Sequence, residues 1–136
     1  MNTNAKLIAA SVLSADFRKL EQEITDAERA GADWIHFDVT DGHFTPNLTM
    51  GVNTVIAARK STDLPLDVHL MIENPDTFIP MFAEAGADYI SVHAEAVRHL
   101  NRSVRLIQSL GKRRGSLWDR RFLWNRLPGF WNTSTM

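Results

Sequence analysis

Histidine and aspartate side chains alternate with apolar residues in two short segments of the sequence. His36 and Asp38 belong to the first segment, and Asp67 and His69 belong to the second. Because side chains alternate between the two faces of a β-strand, each pair is expected to share one face and leave the other apolar. Imidazole nitrogens with a carboxylate suit a divalent ion such as Zn²⁺, Mn²⁺, Fe²⁺ or Co²⁺, which acts as a Lewis acid while the carboxylate moves a proton. The pattern indicates a metal-assisted acid–base site; the alternative is a set of buried polar residues that satisfy one another.

A parallel sheet is the element that must position these side chains. Apolar runs of strand length occur four times, at residues 7–12, 34–39, 66–71 and 89–93. Segments with helical periodicity follow each run. This alternation predicts an α/β fold, a parallel (β/α) barrel of the TIM type with only the first four β/α units present. Neighbouring strands would then bring His36, Asp38 and His69 to the C-terminal mouth of the barrel, where barrel active sites lie.

An internal repeat supports the barrel. Residues 30–35 read Ala-Gly-Ala-Asp-Trp-Ile, and residues 85–90 read Ala-Gly-Ala-Asp-Tyr-Ile, at an offset of 55 residues. Two β/α units fit that offset. The alternative is that Ala-Gly-Ala-Asp is only a common turn between a helix and a strand. Within the predicted helices, Ser14 is expected to cap the first, and Phe17 and Phe78 are expected on buried faces.

Further candidate residues lie where predicted strands end. Ser11 ends the first strand, and its hydroxyl is placed to hydrogen-bond a substrate. Residues 41–47 form a loop directly after the second strand, and loops in this position often carry function. In that loop His43 is a candidate lid residue, with a well-formed packing turn as the alternative. His93 ends the fourth strand and is interpreted as a pocket-wall or core histidine rather than a ligand.

The composition changes abruptly after Gly111. Residues 1–111 carry a formal charge of −6, residues 112–136 carry +5, and three of the four tryptophans lie in the second segment. A fifth strand is due at this point, yet the basic sequence predicts none. One interpretation of the tail is a basic aromatic arm for nucleic acid or a membrane surface. We favour the other, in which residues 1–111 form the half-barrel and residues 112–136 are a non-homologous, frameshifted or disordered tail.

Several functional classes are excluded by composition. The sequence contains no cysteine, which excludes disulfides, thiolate metal sites and thiol catalysis. The first residues lack the pattern of a secretory signal, and no apolar run is long enough to span a bilayer. Hydrophobic residues make up 44% and charged residues 23% of the chain, a balance typical of globular proteins. We therefore expect a cytoplasmic protein without a nucleic-acid or membrane partner.

The motifs on these strands closely resemble those of ribulose-phosphate 3-epimerases. The stretches that carry the resemblance are residues 10–16, 36–47, 67–71 and 93–95, and the resemblance covers residues 5–111. It implies interconversion of D-ribulose 5-phosphate and D-xylulose 5-phosphate in the pentose phosphate pathway, by proton exchange at C3 through an ene-diolate. It also implies a divalent metal ion held by His36, Asp38 and His69, with Asp38 as one of two acid–base aspartates. Ser11, His69 and Met71 would contact the sugar-phosphate substrate.

The chain departs from the family pattern in its length. Family members run through eight β/α units, and their second catalytic aspartate and glycine-rich phosphate loops belong to the later units. We therefore expect a truncated epimerase that is inactive by itself. Two alternatives stay open: an epimerase for a related ketose phosphate such as D-allulose 6-phosphate, and a non-enzymatic half-barrel that self-associates as a homo-oligomer.

Overall fold

The computed structural model describes residues 6–117, which form a parallel sheet covered by helices. The strands are β1 (Ala9–Ser11), β2 (Trp34–Thr40), β3 (Leu66–Met71), β4 (Tyr89–His93) and β5 (Arg113–Leu117). The helices are α1 (Leu20–Arg29), α2 (Val52–Arg59), α3 (Pro75–Glu84) and α4 (Leu100–Ser109). Two short 3₁₀ turns, Val12–Ser14 and Phe17–Lys19, lie between β1 and α1.

The strand order identifies the wall of a barrel. The strands lie side by side in chain order, β1-β2-β3-β4-β5, and each neighbouring pair is parallel. One helix connects each strand to the next, so the described chain consists of four consecutive β/α units followed by a strand. A doubly wound sheet would reverse its strand order at a switch point, whereas a TIM-type barrel keeps one direction. The predicted α/β fold, a partial TIM-type barrel, is confirmed.

One face of the sheet forms the core beneath the helices. Phe37 of β2, Val68 of β3 and Val92 of β4 are 0% exposed. They contact a layer of helix side chains that are themselves almost fully buried: Ile24, Val55, Ala58, Ile79, Phe82 and Ile107. Burying each large aliphatic or aromatic side chain contributes about 1.5–3 kcal/mol. This packing fixes one face of every strand and leaves the opposite face free to carry polar groups.

The internal repeat performs the same structural task twice. In each copy the glycine ends a helix with positive φ, 96° in the first and 109° in the second. In each copy the aspartate side chain then accepts a hydrogen bond from a backbone N–H at the start of the preceding strand. Asp33 accepts from Ile8 at 2.8 Å, and Asp88 accepts from Leu66 at 2.9 Å. The repeat is therefore a turn that joins consecutive units, as expected for a repeating barrel.

The prediction that no strand follows Gly111 is wrong, because Arg113–Leu117 forms β5 and pairs in parallel with β4. The prediction relied on apolar alternation, but backbone hydrogen bonds to β4 define this strand whatever its side chains are. Arg113 adds an aromatic contact: its guanidinium lies 5.3 Å from the centroid of the Tyr89 ring and donates to the Tyr89 hydroxyl at 2.6 Å. The rest of the predicted tail, residues 118–136, lies outside the described residues, and the boundary at residue 111 stays a prediction.

Three local expectations also differ from the structure. Ser14 ends a 3₁₀ turn, and Lys19 occupies the N-cap position of α1. Phe17 and Phe78 are 47% and 40% exposed. The buried positions of α3 are Pro75, Ile79, Phe82 and Ala83, so Ile79 rather than Phe78 faces the core. The sequence pattern also places Phe82 and Ala85 on this buried face together with Phe78, and they are buried, so only Phe78 is misplaced.

Candidate metal centre

The strand register brings the two His/Asp pairs together. In the β2–β3 pairing, His36 lies opposite Asp67 and Asp38 lies opposite His69. All four residues belong to the face of the sheet that points away from the helices, since their neighbours Ile35, Phe37, Val68 and Leu70 are fully buried in the core. The predicted sharing of one face by the two pairs is confirmed.

Asp38 is the centre of the resulting cluster. Its Oδ1 atom lies 3.2 Å from Nε2 of His36 and 3.1 Å from Nδ1 of His69. One potential ligand atom from each of these three residues lies within 4.8 Å of the other two. The side chains of His36 and Asp38 are 22% and 24% exposed, whereas that of His69 is 8% exposed. The cluster is therefore accessible from one side and packed on the other, as a site that receives a substrate requires.

Asp67 stands on the other side of His36. Its Oδ2 atom lies 2.7 Å from Nδ1 of His36, so this imidazole lies between two carboxylates. The hydrogen bond to Asp67 raises the pKa of His36, although burial opposes the increase. The two carboxylates make this part of the sheet face a favourable environment for a cation.

His69 has the opposite electrostatic environment. Burial lowers the pKa of His69, although the Asp38 carboxylate beside it acts in the opposite direction. The imidazole is therefore biased toward its neutral form, which has a lone pair on one ring nitrogen. Neutral imidazole is the form that binds a metal ion.

The donor set tests whether these residues fit an ion. Two imidazole nitrogens and one carboxylate oxygen converge here, and such donors suit a borderline divalent ion. Within residues 6–117, Nε2 of His69, the ring nitrogen that does not contact Asp38, is buried and has no hydrogen-bond partner. An unsatisfied buried polar atom costs about 1–3 kcal/mol, so the polar residues of this face do not fully satisfy one another. The cluster therefore fits a divalent metal site.

Ser11 and Met71 lie on strands next to the cluster. Ser11 ends β1 directly opposite His36, and its exposed hydroxyl accepts a hydrogen bond from the N–H of Leu13. Met71 ends β3 two residues after His69, so the two side chains share a face, and it is partly exposed. Both candidate substrate contacts therefore lie along the rim of the site, on either side of β2.

The loop after β2 folds over the end of the sheet. Phe44 packs against His93, with ring centroids 4.2 Å apart, and His93 stacks on His69 at 5.8 Å. His93 is outside the three-residue cluster, and its position agrees with the predicted role of a pocket wall. His43 is largely exposed, with Nδ1 3.3 Å from Asp41 and Nε2 3.7 Å from Glu73. The sequence pattern indicates this loop but gives no contact partner for His43.

Asp41 joins this loop to the next one. One carboxylate oxygen accepts from the N–H of His43 at 3.0 Å, and the other accepts from the N–H of Glu73, after β3, at 2.9 Å. Desolvation raises the pKa of Asp41, but these backbone donors outweigh it and hold the pKa below its ordinary value. The sequence showed Asp41 only as part of a turn, and nothing in its spacing pointed to Glu73.

Comparison with known proteins identifies the family. The sequence profile described as the Ribulose-phosphate 3 epimerase family matches residues 7–120. The chain belongs to the ribulose-phosphate 3-epimerase family. The resemblance predicted over residues 5–111 is confirmed, and the family match continues past the predicted boundary to residue 120.

Curated ribulose-phosphate 3-epimerases are similar along most of this chain. A Bacillus subtilis relative is 60% identical over 108 residues, which cover 79% of this chain and 50% of the relative. An Aquifex aeolicus relative is 49% identical, covering 81% and 50%. A chloroplastic enzyme of Arabidopsis thaliana, ribulose-5-phosphate-3-epimerase, is 51% identical, covering 80% and 40%. The chain spans about half the length of the curated relatives that it matches, and those relatives are named as epimerases, a class of isomerase.

Solved structures outside the epimerase family share the fold. A mandelate oxidase with 2-hydroxy-phenylacetamide superposes with a TM-score of 0.57 at 18% identity, covering 83% of this chain and 41% of the oxidase. A mandelate oxidase with (S)-mandelic acid gives 0.57 at 19% identity. At this identity the likeness shows the fold alone. Within residues 6–117, no helix is long and apolar enough to cross a membrane.

Proposed function

We propose that this chain carries one side of a ribulose-phosphate 3-epimerase active site, with His36, Asp38 and His69 as metal ligands and Asp38 as an acid–base group. The proposed reaction interconverts D-ribulose 5-phosphate and D-xylulose 5-phosphate in the pentose phosphate pathway, in the cytoplasm. The observation that carries the proposal is the convergence of the three potential ligand atoms within 4.8 Å, in a chain of this family. Zn²⁺, Mn²⁺, Fe²⁺ and Co²⁺ all suit the donor set.

Asp38 is the group that moves the proton in this proposal. A divalent ion, when bound, supplies Lewis-acid polarisation of the substrate carbonyl next to C3. The carboxylate of Asp38 takes the C3 proton, and the electron pair of the broken C–H bond is delocalised onto the carbonyl oxygen. Nε2 of His36 and Nδ1 of His69 both lie within 3.2 Å of Oδ1 of Asp38, so the three groups face the space where the ion would bind. Return of a proton to the same carbon completes the exchange.

Ser11 and Met71 are proposed to position the sugar phosphate. The hydroxyl of Ser11 is exposed beside His36 and has a hydrogen to donate, because among residues 6–117 it acts only as an acceptor for the Leu13 N–H. Met71 offers an apolar wall next to His69. His69 is the third proposed substrate contact. An apolar wall beside the reacting carbon excludes water and strengthens the electrostatic interactions there.

The family pattern uses a second aspartate on the opposite face of the substrate, in a later β/α unit. Epimerisation requires that this second group return the proton to the other face of C3. A chain with Asp38 alone is expected to remove the proton and return it to the same face. The proposal therefore predicts exchange of the C3 hydrogen with solvent, without net formation of the epimer.

The test follows D-ribulose 5-phosphate in D₂O by NMR, with the 136-residue chain and added Mn²⁺ or Zn²⁺. Asp38→Asn should lower the exchange rate by about 10²-fold or more, the usual contribution of a general base. Asp63→Asn is the matched control, because Asp63 is exposed and precedes β3 at the end of the sheet opposite the site. Exchange that is the same in wild type and Asp38→Asn would contradict the role of Asp38.

D-xylulose 5-phosphate formed at the rate of a full-length relative would contradict the expectation that the chain alone is inactive. Repeating the experiment with D-allulose 6-phosphate and comparing the two exchange rates decides between the two proposed substrates.

Self-association is a second candidate, favoured by the edges of the sheet. In the described part of the chain, β1 and β5 are the two edge strands, and each pairs on one side only. The face between them also holds a stacked aromatic pair, Trp34 and Tyr89, whose ring centroids are 4.1 Å apart and which are only partly buried. Open edges and partly exposed aromatic rings favour association of two copies. Light scattering coupled to size exclusion should give a dimer; a monodisperse monomer at high concentration would refute this candidate.

A further inference from the structure

We propose that Asp67 is a positioning residue for His36: its carboxylate holds the imidazole proton on Nδ1 and so presents the Nε2 lone pair toward Asp38, where the ion binds. This inference rests on the proposed function, because it assigns a role relative to the proposed metal ligands.

The two distances at the His36 ring carry the argument. Nδ1 lies 2.7 Å from Oδ2 of Asp67, whereas Nε2 lies 3.2 Å from Oδ1 of Asp38. A carboxylate only accepts hydrogen bonds, so each of these contacts favours a proton on the ring nitrogen that it touches. The neutral ring carries only one N–H proton, so only one of the two contacts can be a hydrogen bond. The shorter contact, between Nδ1 and Asp67, is the more favourable position for that proton. The proton therefore stays on Nδ1, and Nε2 keeps its lone pair.

Asp67 is placed to orient the ligand rather than to be one. The group of mutually close donor atoms within residues 6–117 contains His36, Asp38 and His69 and does not include Asp67. Asp67 contacts the ring nitrogen of His36 that points away from this group. Metal-binding histidines in proteins commonly donate their second N–H to a carboxylate, which fixes the tautomer and the ring orientation. The geometry at Asp67 is of this kind.

The strands make this arrangement rigid. His36 and Asp67 are direct register partners on β2 and β3, which both lie inside the sheet rather than at its edges. Both side chains are about four-fifths buried, with 22% and 20% exposed. Groups held on central strands keep their positions better than groups on loops, and positions held to about 0.5 Å are what a metal site requires. Loss of the Asp67 carboxylate would free the ring to rotate and to change tautomer.

A purely structural ion pair is the competing explanation, and it makes different predictions. It predicts that removing the carboxylate lowers stability and leaves the tautomer of His36 unchanged. Positioning predicts a change of tautomer and a 10–100-fold loss of metal affinity, the usual effect of removing such a partner. The two explanations can therefore be separated by measurements on the same variants.

The experiment uses the 136-residue chain, wild type and Asp67→Asn, with Asp63→Asn as the matched control. Long-range ¹H–¹⁵N NMR of the ¹⁵N-labelled protein identifies the tautomer of His36 at a pH where the ring is neutral. Calorimetric titration with Zn²⁺ gives the affinity. We expect the Nδ1–H tautomer in wild type, a shift toward Nε2–H in Asp67→Asn, where the amide can donate to Nδ1, and Zn²⁺ affinity lowered 10–100-fold. Asp63→Asn should behave as wild type.

Three results would overturn the inference: an Nε2–H tautomer in the wild-type chain, an unchanged tautomer in Asp67→Asn, or Zn²⁺ affinities within twofold of each other. The wild-type tautomer needs no variant, so the inference is tested even if Asp67→Asn fails to fold. Failure of wild type to bind Zn²⁺ or Mn²⁺ would instead refute the proposed metal site, and the tautomer measurements would then decide the role of Asp67 by themselves.

Discussion

Replacing Gly86 with alanine should destabilise the chain more than the same replacement at Gly31. Both glycines have positive φ, 109° and 96°, so each alanine must adopt a backbone conformation that costs on the order of 1–3 kcal/mol. A Cβ at Gly86 would lie 2.7 Å from Cγ and Cδ of Arg59, whereas a Cβ at Gly31 would meet nothing within 4 Å. Both variants carry this backbone cost. The difference between their free energies of unfolding therefore isolates the effect of the contact with Arg59.

Arg59 cannot move away from Gly86 without losing hydrogen bonds. Its guanidinium donates to the Asp88 carboxylate at 3.2 Å, to the Leu64 carbonyl at 3.1 Å and to the Thr62 carbonyl. Each such bond contributes about 0.5–1.5 kcal/mol net, so losing two or three of them adds about 1–4 kcal/mol. Asp88 also accepts from the N–H that begins β3, the strand that carries His69. Damage to this cluster would therefore reach the metal centre.

Urea unfolding followed by circular dichroism measures the effect as a free energy of unfolding. We expect Gly86→Ala to be about 1–4 kcal/mol less stable than Gly31→Ala, from the hydrogen bonds of Arg59. In an Arg59→Ala background the two alanine substitutions should cost nearly the same, since the obstructing side chain is gone. Equal stabilities of the two variants in the original background would refute the reasoning, because they would show that Arg59 accommodates the methyl group and keeps its partners.

Further predictions concern the site, its loop and the core. Zn²⁺ at 100 times its dissociation constant should raise the free energy of unfolding of wild type by about 2.7 kcal/mol and leave His69→Ala nearly unaffected; equal stabilisation in a thermal melt would place the ion elsewhere. Wild type should be more stable than Asp41→Asn at neutral pH. Because the folded pKa of Asp41 lies below 3.8, this difference should persist above that value and vanish as the pH falls through the folded pKa. Urea titrations at pH 7 and at a series of lower pH values measure it, and a difference that does not shrink as the pH falls would contradict the assignment. Phe37→Ala should lower stability by about 3–5 kcal/mol, since Phe37 is fully buried beneath the helices; a loss below about 1 kcal/mol would contradict that packing.

Most of the fold was predictable because it depends on periodicity. The first four strands are short apolar runs, and segments with the 3.6-residue period of helices separate them. The Ala-Gly-Ala-Asp repeat marks two of the turns between a helix and the next strand. The fifth strand was not predictable in this way, because Arg113–Leu117 is defined by its backbone pairing with β4. Ser14 failed as a cap for a different reason: two 3₁₀ turns, capped by the side chains of Ser11 and Asp16, intervene before α1.

The site was predictable only in part. Alternation along a strand places His36 with Asp38 and Asp67 with His69, but it does not say which residues of the two strands lie opposite each other. That pairing depends on the register of β2 with β3, which tertiary packing sets. The structure therefore adds the contact between Asp67 and His36, and the link from Asp41 to Glu73 across two loops.

The two aspartate contacts of the repeat have a consequence for the order in which the chain matures. Asp33 bonds to an amide 25 residues before it, and Asp88 bonds to one 22 residues before it. Each contact can form as soon as the strand and helix between its two residues have been synthesised. Contacts this short in sequence favour fast folding, because little chain entropy is lost when each loop closes. A growing polypeptide would therefore consolidate one unit behind the point of synthesis, and the metal ligands on β2 and β3 would be in place before the fifth strand joins the sheet.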